Sequence, residues 1–456
     1  MADSILSLAD IVNRSAQTID GLCRKHNAKF PDPNEPFDVR TEEIRNNAEV
    51  LAAAATLTAA AEQLVASVWL PGPTLIHSGL AFHVSAALRV AITCHVAESL
   101  REAGPQGAHV DRICEGLVVR PQKLGRILRL LSTKHIFREV SPEVFANNRL
   151  SSLLDTGKSV TELRTNPNAK YENSSNPLPA LFEHSTDEVM KTASYLAEVI
   201  TDPAMAASDE PDNVAFSIAM RTDKDWWKWA ESPENSMYLQ RFSLAMSAAK
   251  QVMPEQTTVE GFDWGSLPKD ATVVDAGGGV GAASLALARA FPDLRLVVQD
   301  RTKTIEQARG YWEKHMPEGI ASGRITLEAH DFFDAVQPRG AADVYLLRFI
   351  LHDWADSYCL KILDPLRKVA GPNTTLIIVD TVLPYACRNS NDSDDETTPL
   401  LANLGAVNLQ GYLVDMQMLT LLNGQERTAE QFDRLLLQAG WRVERFSKNH
   451  IVAKPV

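Results

Sequence analysis

Apolar and polar positions along the chain fall into two regimes. Up to about residue 255 apolar residues recur at helical spacing; beyond it, short unbroken apolar runs alternate with helical stretches. Residues 1–30 place Ile5, Leu8, Ile11 and Val12 on one helical face, and 31–40, with three prolines, read as a linker. Thr41–Leu70 predicts a long helix ended by Pro71-Gly72-Pro73, and Leu75–Ala103 predicts one or two more. Surfaces as apolar as Leu80, Ala86, Leu88 and Val90 need another helix or another subunit against them. Val110–Leu117 and Pro121–Ser132 predict two short helices, followed by a hairpin of Ile136–Val140 and Val144–Ala146 around Pro142 and a helix near Leu150: the order of a winged helix. Residues 156–180, polar and rich in Asn and Pro, read as loop; helices resume over Leu181–Ala207 and Tyr238–Lys250. Trp226, Trp227 and Trp229 read as core.

In the second regime Ala271–Asp275, Leu294–Asp300, Ile325–His330, Val344–Phe349 and Thr375–Asp380 predict strands separated by helices, the pattern of a parallel sheet. A helix at 428–440 and a hairpin, Trp441–Phe446 with His450–Lys454, close the chain. The expected fold is α/β with an all-helical and winged-helix N-terminal part. Its expected divisions are a helical region at 1–105, a winged helix at 106–155, a helical connector at 156–255 and a sheet domain at 256–456. An acidic run between Asn389 and Thr398 reads as a mobile surface loop.

Composition narrows the function classes. With 456 residues, 45% hydrophobic and 23% charged, the chain has ample material for a core. Its formal net charge of −13 argues against nucleic acid or an anionic membrane as a partner. The five cysteines are scattered without a CxxC pair, which suggests free thiols in a reducing compartment and no metal site. The first 26 residues lack the basic-then-apolar order of a signal peptide, and Val50–Leu70, which contains Glu62 and Gln63, reads as a packed soluble helix. The expected location is cytoplasmic.

The chemistry concentrates where the first strand of the sheet meets a glycine turn, Asp275-Ala276-Gly277-Gly278-Gly279-Val280-Gly281. Such a turn lets a ligand approach the backbone at the strand ends, and Asp300 at the end of the next strand suits a ribose diol. Gly277, Gly279 and Ala282 also satisfy a dinucleotide fingerprint, so NAD stays open on these residues alone. Asp275, directly before the turn, would repel a pyrophosphate and attract a sulfonium or an ammonium group. The turn resembles the first motif of class I S-adenosylmethionine-dependent methyltransferases. Asp275, Asp300, Asp331 and Asp380 fall at corresponding strand ends, and the strand over Val344–Phe349 runs into Leu351-His352-Asp353-Trp354, which offers His352 as a general base.

Taken in order, Val273–Gly281, His330-Asp331-Phe332-Phe333, Leu347–Trp354 and Asn423–Thr428 resemble the small-molecule O-methyltransferases typified by plant caffeic acid O-methyltransferase and its fungal relatives. The resemblance spans nearly the whole chain and implies a class I methyltransferase (Rossmann-like) sheet. It implies that His352 takes a proton from a phenolic hydroxyl, steered by Asp380 and Glu426; plant members usually carry Glu at the first of these positions. For S-adenosylmethionine it implies contacts from Asp275, Gly277, Gly279, Asp300, Arg301, Asp331 and Phe332, with Arg348 replacing the family's Lys. Phe242, Met246, Trp354 and Met418 would line the acceptor pocket. No metal is expected. The expected partners are a small phenolic molecule and a second copy of the chain through the N-terminal half. Three rivals remain on the residues: a non-methylating relative of pericyclase or dehydratase type, a winged-helix regulatory protein, and an NAD dehydrogenase.

Overall fold

The computed structural model describes residues 4–172, 176–252, 255–388, 399–447 and 449–456. The acidic run at 389–398 lies outside the described residues. The chain forms two compact units, one of Met1–Lys191, Lys228–Ala249 and Tyr385–Gln410, the other of Thr192–Trp227, Lys250–Pro384 and Gly411–Val456.

In the first unit, the helix Ser4–Lys25 packs along the helix Ala48–Val68. The long helix expected from Thr41 starts later because Asn47 caps it: its side chain accepts from the N–H groups of Glu49 and Val50. Pro71 does not only follow that helix but opens the next one, Pro71–Leu80, since a proline needs no N–H partner in a first turn. The well-packed helix expected over Val50–Leu70 is corrected. Its apolar stretch is only 17% buried, and Leu51, Val65, Val68, Trp69 and Leu70 stand exposed, because the unit covers one side of it. Pro71–Thr93 matches it in length, apolarity and exposure. The winged helix forms as expected, from the helices Val110–Cys114 and Pro121–Thr133 and the strands β1 (Ala108–His109), β2 (Arg138–Ser141) and β3 (Val144–Ala146), in the order β1-β3-β2. Leu124, Leu128, Leu131 and Phe145 fill its core. Residues 156–180, expected as loop, hold short helices at Val160–Thr165 and Pro167–Tyr171, each started by a side-chain cap from Ser159 or Asn166. Asn and Ser, counted as loop residues, act there as helix starters.

The second unit is built on seven strands: β4 (Thr272–Ala276), β5 (Arg295–Asp300), β6 (Ile325–Ala329), β7 (Val344–Arg348), β8 (Thr375–Val379), β9 (Trp441–Ser447) and β10 (His450–Pro455). Their order is β6-β5-β4-β7-β8-β10-β9; β4 to β8 run parallel, and β10 lies antiparallel to both β8 and β9. Central strands such as β8 (TLIIV) are buried throughout, which explains their unbroken apolar sequence. The order reverses between β4 and β7, so the two strands that carry the glycine turn and the His352 segment lie side by side, with β5 on the other flank of β4. This is the switch point where open parallel sheets bind ligands. The helix Leu409–Leu422 was not read from the sequence: apolar on all sides, it shows no periodic face.

Candidate active site

Two parts of the second unit carry the expected chemistry. The first is the turn after β4. Gln299 O accepts from the N–H groups of Gly277 (2.8 Å) and Gly278 (3.0 Å), and Asp300 Oδ2 accepts from Gly279 N (2.9 Å), which ties the turn to the end of β5. Gly279 has φ of +61°, and a Cβ built there meets nothing within 4 Å, so the turn leaves open space at the strand ends. Asp275 is buried beneath the turn at 1% exposure, where its Oδ2 accepts from Ser284 Oγ at 2.6 Å. Burial raises its pKa to about 6, against the Ser284 hydrogen bond and the Arg348 charge. Asp300 also accepts from Arg301 N, and the Arg301 guanidinium lies 5.7 Å from the centre of the Trp227 ring. That contact makes Trp227, read as core, an aromatic neighbour of an expected cofactor residue. Asp331 is exposed and holds Phe333 N, while the Phe332 ring edge is 3.2 Å from where a Cβ on Gly277 would stand. An open turn over glycine, an acid at the next strand end and an aromatic edge beside the turn fit an adenosyl group.

The second part is the segment after β7. Phe349, with φ of +54°, turns the chain out of the sheet, and Leu351–Asp353 form one 3₁₀ turn presenting His352. The loop Asn423–Arg427, 74 residues away by the His352–Glu426 spacing, closes on it. Gln425 N donates to His352 O at 2.8 Å, and Gly424 packs so tightly that a Cβ would come within 2.2 Å of that oxygen. Arg427, fully buried, donates to Leu351 O and Trp354 O and to Asp356 Oδ1, fastening both ends of the turn. Thr428 then caps the helix Ala429–Gln438 in a capping box with Gln431. The Glu-Arg-Thr run thus divides its work: one residue for the imidazole, one for the backbone under it, one for the helix behind it.

Glu426 Oε1 lies 2.7 Å from His352 Nδ1. An ionised carboxylate only accepts, so Nδ1 donates and Nε2 is left to exchange a proton. Asp353 Oδ1 sits 3.5 Å from Nε2, close enough for an ion pair. Burial disfavours the imidazolium, but Asp353, the Glu426 hydrogen bond and Asp380 outweigh it and raise the His352 pKa to about 10. Asp380 is fully buried at the end of β8 and acts on His352 through its field, without a hydrogen bond. Two acids that sequence reasoning did not assign belong to this cluster: Asp353, and Asp415, whose Oδ1 accepts from Glu426 N at 2.8 Å. Asp353 adjoins His352 in sequence and could have been suspected; Asp415 lies on the unread helix. Arg348, its pKa lowered chiefly by burial, lies over the Phe349 ring at 4.5 Å and feels the charges of Asp275 and Asp380.

Of the expected acceptor-pocket residues, Trp354 packs with Phe333 (4.7 Å) and stacks on Tyr358 (5.7 Å) in an aromatic cluster that also touches Phe332. Met418 is buried on the helix Leu409–Leu422, and its carbonyl accepts from Gly424 N. Phe242 and Met246 lie on the helix Ser236–Val252, in the first unit, with Phe242 edge-on to His184 at 5.5 Å.

Residues 226–442 match the family described as the O-methyltransferase domain, and residues 76–157 the O-methyltransferase dimerisation domain. An O-methyltransferase of Armillaria gallica is 40% identical over 474 residues, covering 100% of both chains. The chain belongs to the O-methyltransferase family. A second relative, the 4-O-methyltransferase 1 of Phanerochaete chrysosporium, is 39% identical over 453 residues, covering 97% of this chain and 95% of the relative. Among solved structures, the mitomycin 7-O-methyltransferase MmcR matches with a TM-score of 0.61 at 24% identity, over 89% of this chain and 100% of that one. LepI in complex with S-adenosylmethionine matches with a TM-score of 0.66 at 19% identity, over 89% and 94%. At these identities the structures show the fold alone, a class I methyltransferase fold. The chain is a methyltransferase that uses S-adenosylmethionine, and the dehydrogenase alternative left open by the glycine turn is closed.

Proposed function

We propose that this methyltransferase acts on a phenolic hydroxyl of a small molecule and that His352 is the general base. The observation that carries the reading is the His352 Nδ1–Glu426 Oε1 pair at 2.7 Å, which fixes the tautomer and leaves Nε2 to take a proton. S-adenosylmethionine supplies a methyl group already activated as a sulfonium, so the chain's own task is to hold the acceptor and remove its proton. A phenol with a pKa of ~10 is a poor nucleophile at neutral pH until that proton leaves. Three acids around His352 stabilise the imidazolium that results. The same acids hold His352 protonated in the free protein, so turnover is expected to rise with pH through the alkaline range rather than near the usual histidine value. Asp353, beside Nε2, is the group that an acceptor hydroxyl would displace.

Incubation with labelled S-adenosylmethionine and a panel of phenols of graded acidity tests the reading. Transfer to phenols is the expected result; transfer only to aliphatic hydroxyls, or none, overturns it. Asp300→Ala is expected to weaken S-adenosylmethionine by about 1.5–3 kcal/mol, the scale of hydrogen bonds to a charged group, measured by calorimetry. Unaltered affinity would remove Asp300 from the ribose site.

We infer further that the chain works as a homodimer through its N-terminal unit. The match to the dimerisation domain over 76–157 supports this, as do Leu75, Ile76, Leu80 and Phe82, all more than half exposed. A monomeric mass by light scattering at micromolar concentration would exclude it.

A further inference from the structure

Asp380 is an anomaly within the His352 cluster. Both carboxyl oxygens are buried, and neither has a hydrogen-bond donor among the described residues. Its backbone N–H is used, donating to Asn449 O, so the chain holds the residue firmly while offering its side chain nothing. An ionised carboxylate in that position forfeits its hydration without replacement, one of the costliest arrangements in a protein interior. Two of the nearby cations are committed elsewhere. Arg427 directs its guanidinium to Asp356, to two backbone carbonyls of the His352 turn and to Cys359. The His352 Nδ1 proton belongs to Glu426, and Nε2 faces Asp353. Glu426 Oε2 is also buried without a donor among the described residues. Two acids with orphaned oxygens in one another's field cannot both keep their charge cheaply.

We propose that Asp380 is a neutral carboxylic acid in weakly acidic solution, where an ordinary aspartate is ionised, and acts as a positioning residue beside Glu426, the hydrogen-bonded partner of His352. A proton on Asp380 removes the unsatisfied charge at the end of β8 and brings a donor into a cluster whose other orphaned atom, Glu426 Oε2, is an acceptor. The groups facing Asp380 agree with this assignment. Burial raises its pKa most, to about 6, with His352 and Arg427 working against it and Glu426 and Asp353 adding to it. From the sheet, Arg348 lies in its field, and from the helix Asp356–Val369 the neutral thiol of Cys359 does. The inference deepens the reading of His352 as base and rests on it only for its catalytic meaning; the protonation state itself is measured without turnover.

The test is an infrared difference spectrum of the free protein, wild type minus Asp380→Asn, at about pH 6, roughly two units above an ordinary aspartate. A carbonyl band of a protonated acid, lost in the variant, is the expected result; its absence overturns the proposal. Alongside, the titration of His352 is followed by NMR with labelled histidine. Both Glu426→Gln and Asp380→Asn are expected to move its midpoint to lower pH, since Asp380 is ionised by the time His352 titrates. Should Asp380→Asn not fold, Asp380→Glu serves the difference spectrum: with carboxyl-labelled aspartate it deletes the labelled signal and keeps an acid in place. If the band is present while His352→Gln leaves turnover intact, the reading of His352 as base fails and this one stands.

Discussion

Each unit holds a buried histidine–glutamate pair, and the two differ in every respect that decides reactivity. In the first unit His184 Nδ1 lies 2.6 Å from Glu188 Oε1 within one helical stretch, across the π-helical turn Ser185–Val189. Arg241 closes that pair, bonding Glu188 and, at 3.1 Å, Asp187, which Arg89 and Lys191 also reach at 2.7 Å. Burial works against the Asp187 charge, yet Lys191, Arg241 and Arg89 hold its carboxyl below the usual range. In the second unit His352 and Glu426 come from segments 74 residues apart, and the surplus is acidic: Asp353 and Asp380 join Glu426, while Arg427, next to Glu426 in sequence, is turned to other acceptors. A neutralised pair made by one helix is a brace. An acid-rich pair assembled by two loops at the strand ends has proton affinity to spare, which a general base needs.

The largest effect that would sharpen the contrast is kinetic. His352→Gln should lower turnover by roughly 10² to 10⁴ with S-adenosylmethionine affinity retained, and the loss should shrink for phenols that arrive already ionised. His184→Gln should instead show its cost in a denaturation curve. Equal slowing of acidic and ordinary phenols by His352→Gln would make both histidines braces.

Next in size is stability. Arg241→Met leaves Asp187 and Glu188 buried without their shared cation and should cost about 3–5 kcal/mol by urea unfolding. A loss below about 1 kcal/mol, the scale of exposed pairs, would mean that the network is solvated.

The pH dependence comes third. The folded pKa of His352, about 10, exceeds its unfolded value of 6.5, so its contribution is fully present below about pH 6.5 and is lost as pH rises toward 10. Melting temperatures of wild type and His352→Gln should therefore converge over that window. Divergence would place the surplus charge elsewhere. The smallest effect belongs to the helix behind the loop: Thr428→Ala should cost about 1 kcal/mol of stability by removing the capping box of Ala429–Gln438, with the His352 titration unmoved.

Much of this architecture was legible in the chain. Unbroken apolar runs marked the strands β4 to β8, because a parallel sheet covered on both faces tolerates nothing polar inside. The winged helix followed from its alternation of short helices and hairpin, and His352, Asp380 and Glu426 followed from a family resemblance. The helix Leu409–Leu422 escaped because it lacks a polar face, and Asp415 escaped with it. Trp227 read as core because its Arg301 neighbour is 74 positions away, and Val50–Leu70 read as packed because apolar composition does not say what covers it.

By itself, then, the sequence determined local conformation: which runs are strands, where glycine permits an open turn, where Asn47 and Thr428 start helices. Those properties depend on a few neighbouring residues and on side-chain chemistry alone. Only the tertiary structure decided the electrostatics. It showed that Arg427 faces Asp356 rather than Glu426, that Asp353 joins the His352 cluster, and that Asp380 is buried with no donor among the described residues. The physical reason is that charge is set by what surrounds a group in space: desolvation and fields act across whatever segments the fold brings together.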